Sequence, residues 1–483
     1  MVSLCDMTVA QLRSGLDEGS FTSVDITMAC LTRIARYNHE GPAVNAILEV
    51  NPDALHIAAA ADARRAEGQA SGPLSGIPVL IKDNIATDDG MHTSAGSLAL
   101  ADCYAAADAA LVRRLREAGC VLLGKTNLTE WANFMTENMP NGFSSRGGQV
   151  LNPYGPGTLD VGGSSSGSGA AVAVGFAPLA VGTETSGSIL SPASSNSVVG
   201  IKPTVGLISR TGIVPIAHSQ DTAGPMARTV ADAAALLTLL AGEDLSDPVT
   251  QTGWTVRQQD YLQALNTKAL TGARLGIVRE PYYRSLDADV ADVMERALAD
   301  LRACGAEIVD GLDFGLPDDW QDYTVFLYEF KSDLNRYLGH LPETAKVHSL
   351  ADVIAFNDAN AEHALRHGQT LLLAAQALSG RLTERLYIEA RQRDLDHSRT
   401  RGIDRVMQEH RLDALVFPAN YGAGIAARAG YPSVCVPGGY TASGRPVGVT
   451  FTGTAWTEAR LIGLAYAYEQ ATQRRTRPDF LSE

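Results

Sequence analysis

Apolar residues at four-residue steps, Ile26, Cys30 and Ile34, mark one face of a helix over 22–37. Thr22 and Asp25 stand at capping-box spacing at its start, as do Thr8 and Gln11 ahead of a helix over 7–17. An Ala-rich stretch, 53–68, predicts a third helix, broken by Gly72 and Pro73. The pattern then changes. Val79 to Ile81 is a short aliphatic and β-branched run, expected of a buried strand, and it ends directly on Lys82. A helix over 107–118 closes at Gly119 and leads to a second such run at Val121 to Leu123. Gly124-Lys125-Thr126 follows and is not taken for a phosphate loop. Asn127 opens another helix, and 136–161 is a long Gly, Asn and Pro-rich loop of the kind that shapes sites.

Beyond residue 197 the pattern predicts strand and turn over Val198 to Ile208. A turn at 219–226 feeds a helix from Val230 to Leu240. From 244 to 410 the chain is mostly helical and more polar, with strands at Arg274 to Val278 and Glu307 to Val309. Its Tyr282, Tyr283, Tyr323, Phe326 and Phe330 fit core or interface positions, with a pocket lining as the alternative. The end alternates again: strands at 413–417, 432–436 and 447–451, then a helix over 457–473. Helix–strand alternation at both ends predicts an α/β sheet, and no internal repeat is present.

Composition narrows this further. With 483 residues, 45% hydrophobic and 19% charged, the chain can bury a large core. A net charge of −15 has the wrong sign for a nucleic-acid surface, so no nucleic-acid partner is expected. No apolar run is long enough to cross a membrane, and the first residues lack a signal-peptide pattern. The six cysteines are scattered without C-x-x-C and are expected as free, mostly buried thiols of a cytoplasmic protein.

The chemistry concentrates between Gly162 and Ser197, where two Gly/Ser loops flank an apolar run. A phosphate cradle is disfavoured there because no Gly-Lys-Ser/Thr closes the loop. Gly163-Ser-Ser165-Ser-Gly167 matches G-x-S-x-G, but the strand that motif needs before it is missing and the downstream histidines lie in polar helical segments. Tight structural turns are the bland alternative. The remaining option is a serine nucleophile, Ser188, beside Gly187, with backbone N–H groups of the turn able to hold an oxyanion. Ser164, 24 positions earlier, can relay a proton to a base. Lys82 can be that base only if it is neutral. Burial must then lower its pKa by roughly 2–3 units from about 10.4.

These residues resemble the amidase signature family. The resemblance runs through SGIPVLIKDN, TSAGS at 93–97, GKTNLTEWANF, LNPYGPG, GGSSSGSGAA, VGTETSGSILSPAS, GIKPT, SQDTAGPMARTVADAA and GTAWTEARLI. It implies a single domain over 1–483 with a large mixed, mainly parallel central sheet and helices on both faces. Within it, 1–70 is a helical N-terminal segment and 71–240 the signature core. Residues 241–410 form a mostly helical substrate-shaping region, and 411–483 return to the sheet. The resemblance implies Lys82 as base, Ser164 as bridging serine and Ser188 as the acylated nucleophile. Thr185, Ser186, Gly187 and Ser188 supply the oxyanion hole, and no metal or organic cofactor is implied. The expected activity is hydrolysis of C–N bonds in uncharged amides: peptide C-terminal, aryl or alkyl amides, and carbamates. The expected partner is a small-molecule amide, and the chain is expected as a monomer or homodimer. The alternative is an amidotransferase subunit working within a transamidase complex. Glu184 stands where the family usually has aspartate, and Leu190 where it usually has arginine; the resemblance makes the lost arginine an argument against an acidic substrate and against the amidotransferase A subunit.

Overall fold

A computed structural model describes residues 3–70, 72–253, 260–317 and 320–481. Its centre is an eleven-stranded sheet with helices around it. Among the described residues, thirteen strands occur in chain order. The first five are β1 (Ile47–Val50), β2 (Pro78–Lys82), β3 (Val121–Thr126), β4 (Phe143–Ser144) and β5 (Gly148–Gln149). Next come β6 (Leu179–Glu184), β7 (Val199–Lys202), β8 (Thr222–Ala227), β9 (Arg274–Val278) and β10 (Glu307–Leu312). The last are β11 (Ala414–Pro418), β12 (Ser433–Tyr440) and β13 (Pro446–Thr452). The sheet order is β1-β3-β2-β6-β8-β7-β12-β13-β11-β9-β10, and β4 and β5 form a separate ribbon.

The large mixed sheet is as expected, but most of its neighbouring pairs are antiparallel rather than parallel. Four neighbouring pairs are parallel: β2 with β3, β2 with β6, β9 with β10 and β9 with β11. The other six are antiparallel. A parallel pair needs a crossover of a dozen or more residues, whereas β12 returns into β13 through only 441–445.

Among the described residues, five strands run where the sequence pattern predicts none: β1, β4, β5, β6 and β8. β1 is only four residues long and half-exposed. β8, Thr222–Ala227, occupies the stretch expected to be a turn; it is fully buried between β6 and β7 despite Gly224-Pro225. Proline in a central strand sacrifices a ladder donor, so β-pattern rules reject it. The helix expected from Asn127 is instead a short 3₁₀ turn at Glu130–Asn133. Its Trp131, Ala132 and Asn133 take left-handed φ values of 50°, 53° and 73°.

The predicted N-terminal helices form as α1 (Val9–Glu18) and α2 (Ser23–Tyr37), each with the expected capping box closed at Thr8–Gln11 and Thr22–Asp25. They are followed by α3 (Ala54–Ala66), α4 (Ala110–Glu117), α5 (Ser166–Val174) and α6 (Leu190–Ser195). Then come α7 (Val230–Leu240), α8 (Ala288–Ala303) and α9 (Thr324–Leu338). α5 explains the Gly/Ser/Ala composition of the first serine loop. All nine of its residues are buried, and a Cβ on Gly167 would lie 2.3 Å from the Asn127 carbonyl oxygen and 2.5 Å from that of Ala46. Only small residues let this helix press against the strand ends.

The main core runs along the sheet, and a second apolar cluster joins α9 to the Trp131–Phe134 turn. There the Phe134 and Phe330 rings lie 4.8 Å apart. All six cysteines are free thiols, and five of them are buried. No helix among the described residues is long and apolar enough to cross a membrane.

Candidate active site

β2 and β6 are parallel neighbours with Ile81 opposite Val181, so Lys82 and Thr183 emerge at the same end of the sheet. Lys82 is fully buried. Its Nζ lies 2.8 Å from Ser164 Oγ, 2.9 Å from Thr183 Oγ1 and 3.3 Å from the Thr183 carbonyl. Asn84 Nδ2 donates to the same threonine hydroxyl at 3.0 Å. Burial lowers the Lys82 pKa to about 7, against the opposing pull of the Glu184 and Asp221 charges. An ammonium here would donate to all three oxygens. A neutral amine has two N–H bonds and one lone pair. It can donate to both Thr183 oxygens and still accept the Ser164 O–H.

Ser164 sits just ahead of α5, and its carbonyl accepts from the Thr129 N–H at 3.1 Å. The Gly163–Ser164 peptide bond is cis. The next residue joins the two serine loops. Ser165 N–H donates to the Ser188 carbonyl at 3.0 Å, and Ser165 Oγ donates to the Thr183 carbonyl at 2.9 Å. Lys82 and Ser164 are therefore in direct contact, and Ser188 is tied to that loop one residue further on.

The second loop turns on Gly187, whose φ of 90° favours glycine. Glu184 fixes the entry into α6: its Oε2 accepts from the N–H groups of Ile189 at 2.7 Å and Leu190 at 3.0 Å. Thr185 Oγ1 donates to Asp221 Oδ1 at 2.6 Å. Asp221 Oδ2 accepts from the N–H groups of Ile216 and Ala217, each at 2.9 Å, and burial lifts the Asp221 pKa to about 7. Among the described residues, the backbone N–H groups of Thr185, Ser186, Gly187 and Ser188 have no protein acceptor.

Thr185, Ser186 and Ser188 open onto a cavity of about 280 Å³. One wall is the left-handed Ala132 and Asn133 with Phe134 after them; the other is Gln321 to Tyr323 with Phe326 and Ile216. Of the five aromatics singled out in the sequence, Tyr323 and Phe326 line this cavity, while Phe330 lies in the apolar cluster behind it. The 136–161 loop contributes nothing to the wall. Arg428 reaches the cavity with its charge already matched by Asp394 at 3.2 Å. Leu190 is fully buried and does not line the cavity. A larger cavity of about 920 Å³, between Tyr37, Tyr154, Tyr440 and Phe480, shares none of these residues.

Thr183, Asn84 and Asp221 escaped sequence reasoning, although each lies inside a stretch that it singled out. Gly119 to Thr126 does fit the spacing G-x-x-x-x-G-K-T. The fold cancels that match: Val121–Thr126 is a buried strand, and Lys125 Nζ donates to the Ile85 carbonyl at 2.6 Å and to Thr93 Oγ1 at 3.0 Å. Among the described residues, His218, Glu329 and Asp333 are the one group able to ligate a cation, with donor atoms within 4.8 Å of one another.

The chain is similar to known proteins over nearly all of its length. The family model described as Amidase matches residues 25–427. The crystal structure of native peptide amidase from Stenotrophomonas maltophilia superposes with a TM-score of 0.92 at 47% identity, covering 98% of this chain and 99% of that one. A probable amidase of Arabidopsis thaliana is 40% identical over 99% of this chain and 93% of its own length. A glutamyl-tRNA(Gln) amidotransferase subunit of Halorhodospira halophila is 36% identical over 96% of this chain and 97% of its own.

Proposed function

Because the chain belongs to the amidase family, we propose that it hydrolyses the C–N bond of uncharged amides through an acyl-enzyme on Ser188. The observation that carries this is the buried contact between Lys82 Nζ and Ser164 Oγ. Ser188 Oγ attacks the amide carbonyl carbon. Its proton passes to Ser164 as Ser164 passes its own to neutral Lys82. The N–H groups of Thr185 to Ser188 hold the oxyanion, where preorganised donors are worth most. Lys82 then returns the proton through Ser164 to the leaving nitrogen, and the C–N bond breaks. Water attacks the ester by the same relay and releases the acid, so amide plus water gives acid plus amine.

The cavity lining supports the substrate class. Phe134, Tyr323, Phe326 and Ile216 offer apolar contact, and Arg428 there is already paired with Asp394. That favours uncharged peptide, aryl or alkyl amides, with carbamates as an extension of the same chemistry. The similarity to the Halorhodospira amidotransferase component supports a second reading, a role inside a transamidase complex. Assay of the purified chain alone on N-acetylated amino acid amides, anilides and glutamine separates the two. Turnover of the neutral amides without a partner, lost in Ser188→Ala, supports hydrolysis.

A further inference from the structure

Arg428 stands in the last turn of the helix Ala423–Ala429 and lines the same cavity as Ser188. The helix starts against the second serine loop: a Cβ on Gly187 would lie 3.5 Å from the Ala423 Cβ. Helical side chains lean toward the N-terminus of their helix. Arg428 does so, and its Nη1 donates to the Gly424 carbonyl at 3.3 Å, one residue from Ala423. The guanidinium is thereby brought back toward the loop that carries Ser188. Nε donates to Asp394 Oδ1 at 3.2 Å, and Nη2 donates to the Asp322 carbonyl at 3.0 Å. The rings of Trp320 and Phe326 lie 5.4 and 5.7 Å from its central carbon and hold its faces. A guanidinium has five N–H donors, one on Nε and two on each terminal nitrogen. One N–H on Nη1 and one on Nη2 are therefore left without an acceptor among the described residues. The residue is only 5% exposed, and buried donors as a rule have a partner.

We propose that Arg428 is a specificity-determining residue whose two remaining N–H groups bind a second carbonyl oxygen on the acyl side of the substrate. The favoured class is amides whose acyl group carries a further uncharged carbonyl, as the acylamino group of an N-acylated amino acid amide does. This deepens, and rests on, the reading that Ser188 is acylated in this cavity. The charges nearby select a neutral acceptor over a carboxylate. Asp394 already balances the guanidinium at 3.2 Å, and Asp322, which lines the cavity beside it, is itself an acid. An anionic acyl group would meet no excess of positive charge, whereas one neutral carbonyl oxygen has two lone pairs for the two N–H groups. Tyr323 and Phe326 on the same wall offer apolar contact to the rest of such an acyl group.

The experiment compares kcat/KM for N-acetylphenylalanine amide and for 3-phenylpropanamide, which share the ring and the scissile amide and differ by the acetamido group. Arg428→Met combined with Asp394→Asn removes both buried charges together, so that neither is left alone. In that variant the ratio of the two values should fall roughly tenfold, the weight of two hydrogen bonds to a neutral oxygen. An unchanged ratio, including equal losses on both substrates, overturns the proposal. If the double variant does not fold, the unaltered enzyme is assayed on N-thioacetylphenylalanine amide, whose sulfur is a weak acceptor. Its kcat/KM should lie roughly tenfold below that of the acetyl compound, and equal values overturn the proposal. Turnover with an unchanged ratio removes only the role of Arg428. No turnover of any of these amides by the unaltered enzyme removes the acylation reading itself, and this proposal with it.

Discussion

Lys82 Nζ and Ser164 Oγ lie 2.8 Å apart inside the protein, with no solvent access to either side chain. The contact joins the end of one strand to a loop 82 residues away in sequence. It makes lysine chemically useful only by desolvating it. Lowering its pKa from 10.5 to about 7 at about 1.36 kcal/mol per pH unit costs the fold roughly 5 kcal/mol. A residue that costs the fold this much and also contacts a serine is a candidate for function rather than for stability.

Replacing Lys82 with methionine keeps the length of the side chain and removes the buried amine. Amide hydrolysis should fall by about 10³-fold or more, as expected on losing a positioned base. Thermal unfolding at pH 7 should show stability equal to or above that of the unaltered protein, because the desolvation cost is gone. A large drop in melting temperature would mean that the amine holds the fold together.

The pH dependence has a definite sign. The relay needs the neutral amine, so kcat/KM should rise as pH passes through about 7, the Lys82 value. Between that value and 10.5 the unfolded chain binds a proton at Lys82 that the folded chain does not. This group's contribution to stability therefore rises with pH across that window. A pH–rate profile and denaturant titrations at several pH values check both limbs.

Thr185→Val removes the hydroxyl that Asp221 receives at 2.6 Å while nearly preserving shape. A hydrogen bond to a carboxylate is worth about 1.5–3 kcal/mol. If it steadies the oxyanion loop, kcat should fall by roughly 10–100-fold with KM little changed. Steady-state kinetics on one neutral amide decide this.

Tyr323 is 54% exposed at the cavity mouth. Tyr323→Ala should raise KM for anilides by about tenfold, through lost aromatic contact, and leave kcat on small alkyl amides unaltered. Equal effects on both substrate types would show that the residue supports the fold rather than the substrate.

Much of this site could be read from the chain, for physical reasons that differ by residue. Lys82 stood out because an aliphatic run ended on a cation, and Ser164 and Ser188 because Gly/Ser loops are costly in a core unless something needs them. Thr183 and Asn84 gave no such signal: one hydroxyl and one amide in buried stretches look structural until the amine is seen between them. β8 was missed because Gly224-Pro225 violates strand chemistry; its neighbours in the sheet, not its own propensity, make it a strand. The helix expected from Asn127 failed because the chain turns left-handed at Trp131, a choice dictated by packing against α9 and invisible in local periodicity. The parallel bias failed because pairing direction is set by connection length across distant segments.

If Ser188 carries the acyl group, and Lys82 puts it there through Ser164, the intermediate can be weighed. The protein is mixed with a slowly hydrolysed anilide, quenched, and its intact mass determined. The expected result is added mass equal to one acyl group, mapped to the peptide containing Ser188, and absent in Ser188→Ala and Lys82→Met. Acylation that persists in either variant, or that maps to another residue, would contradict the relay.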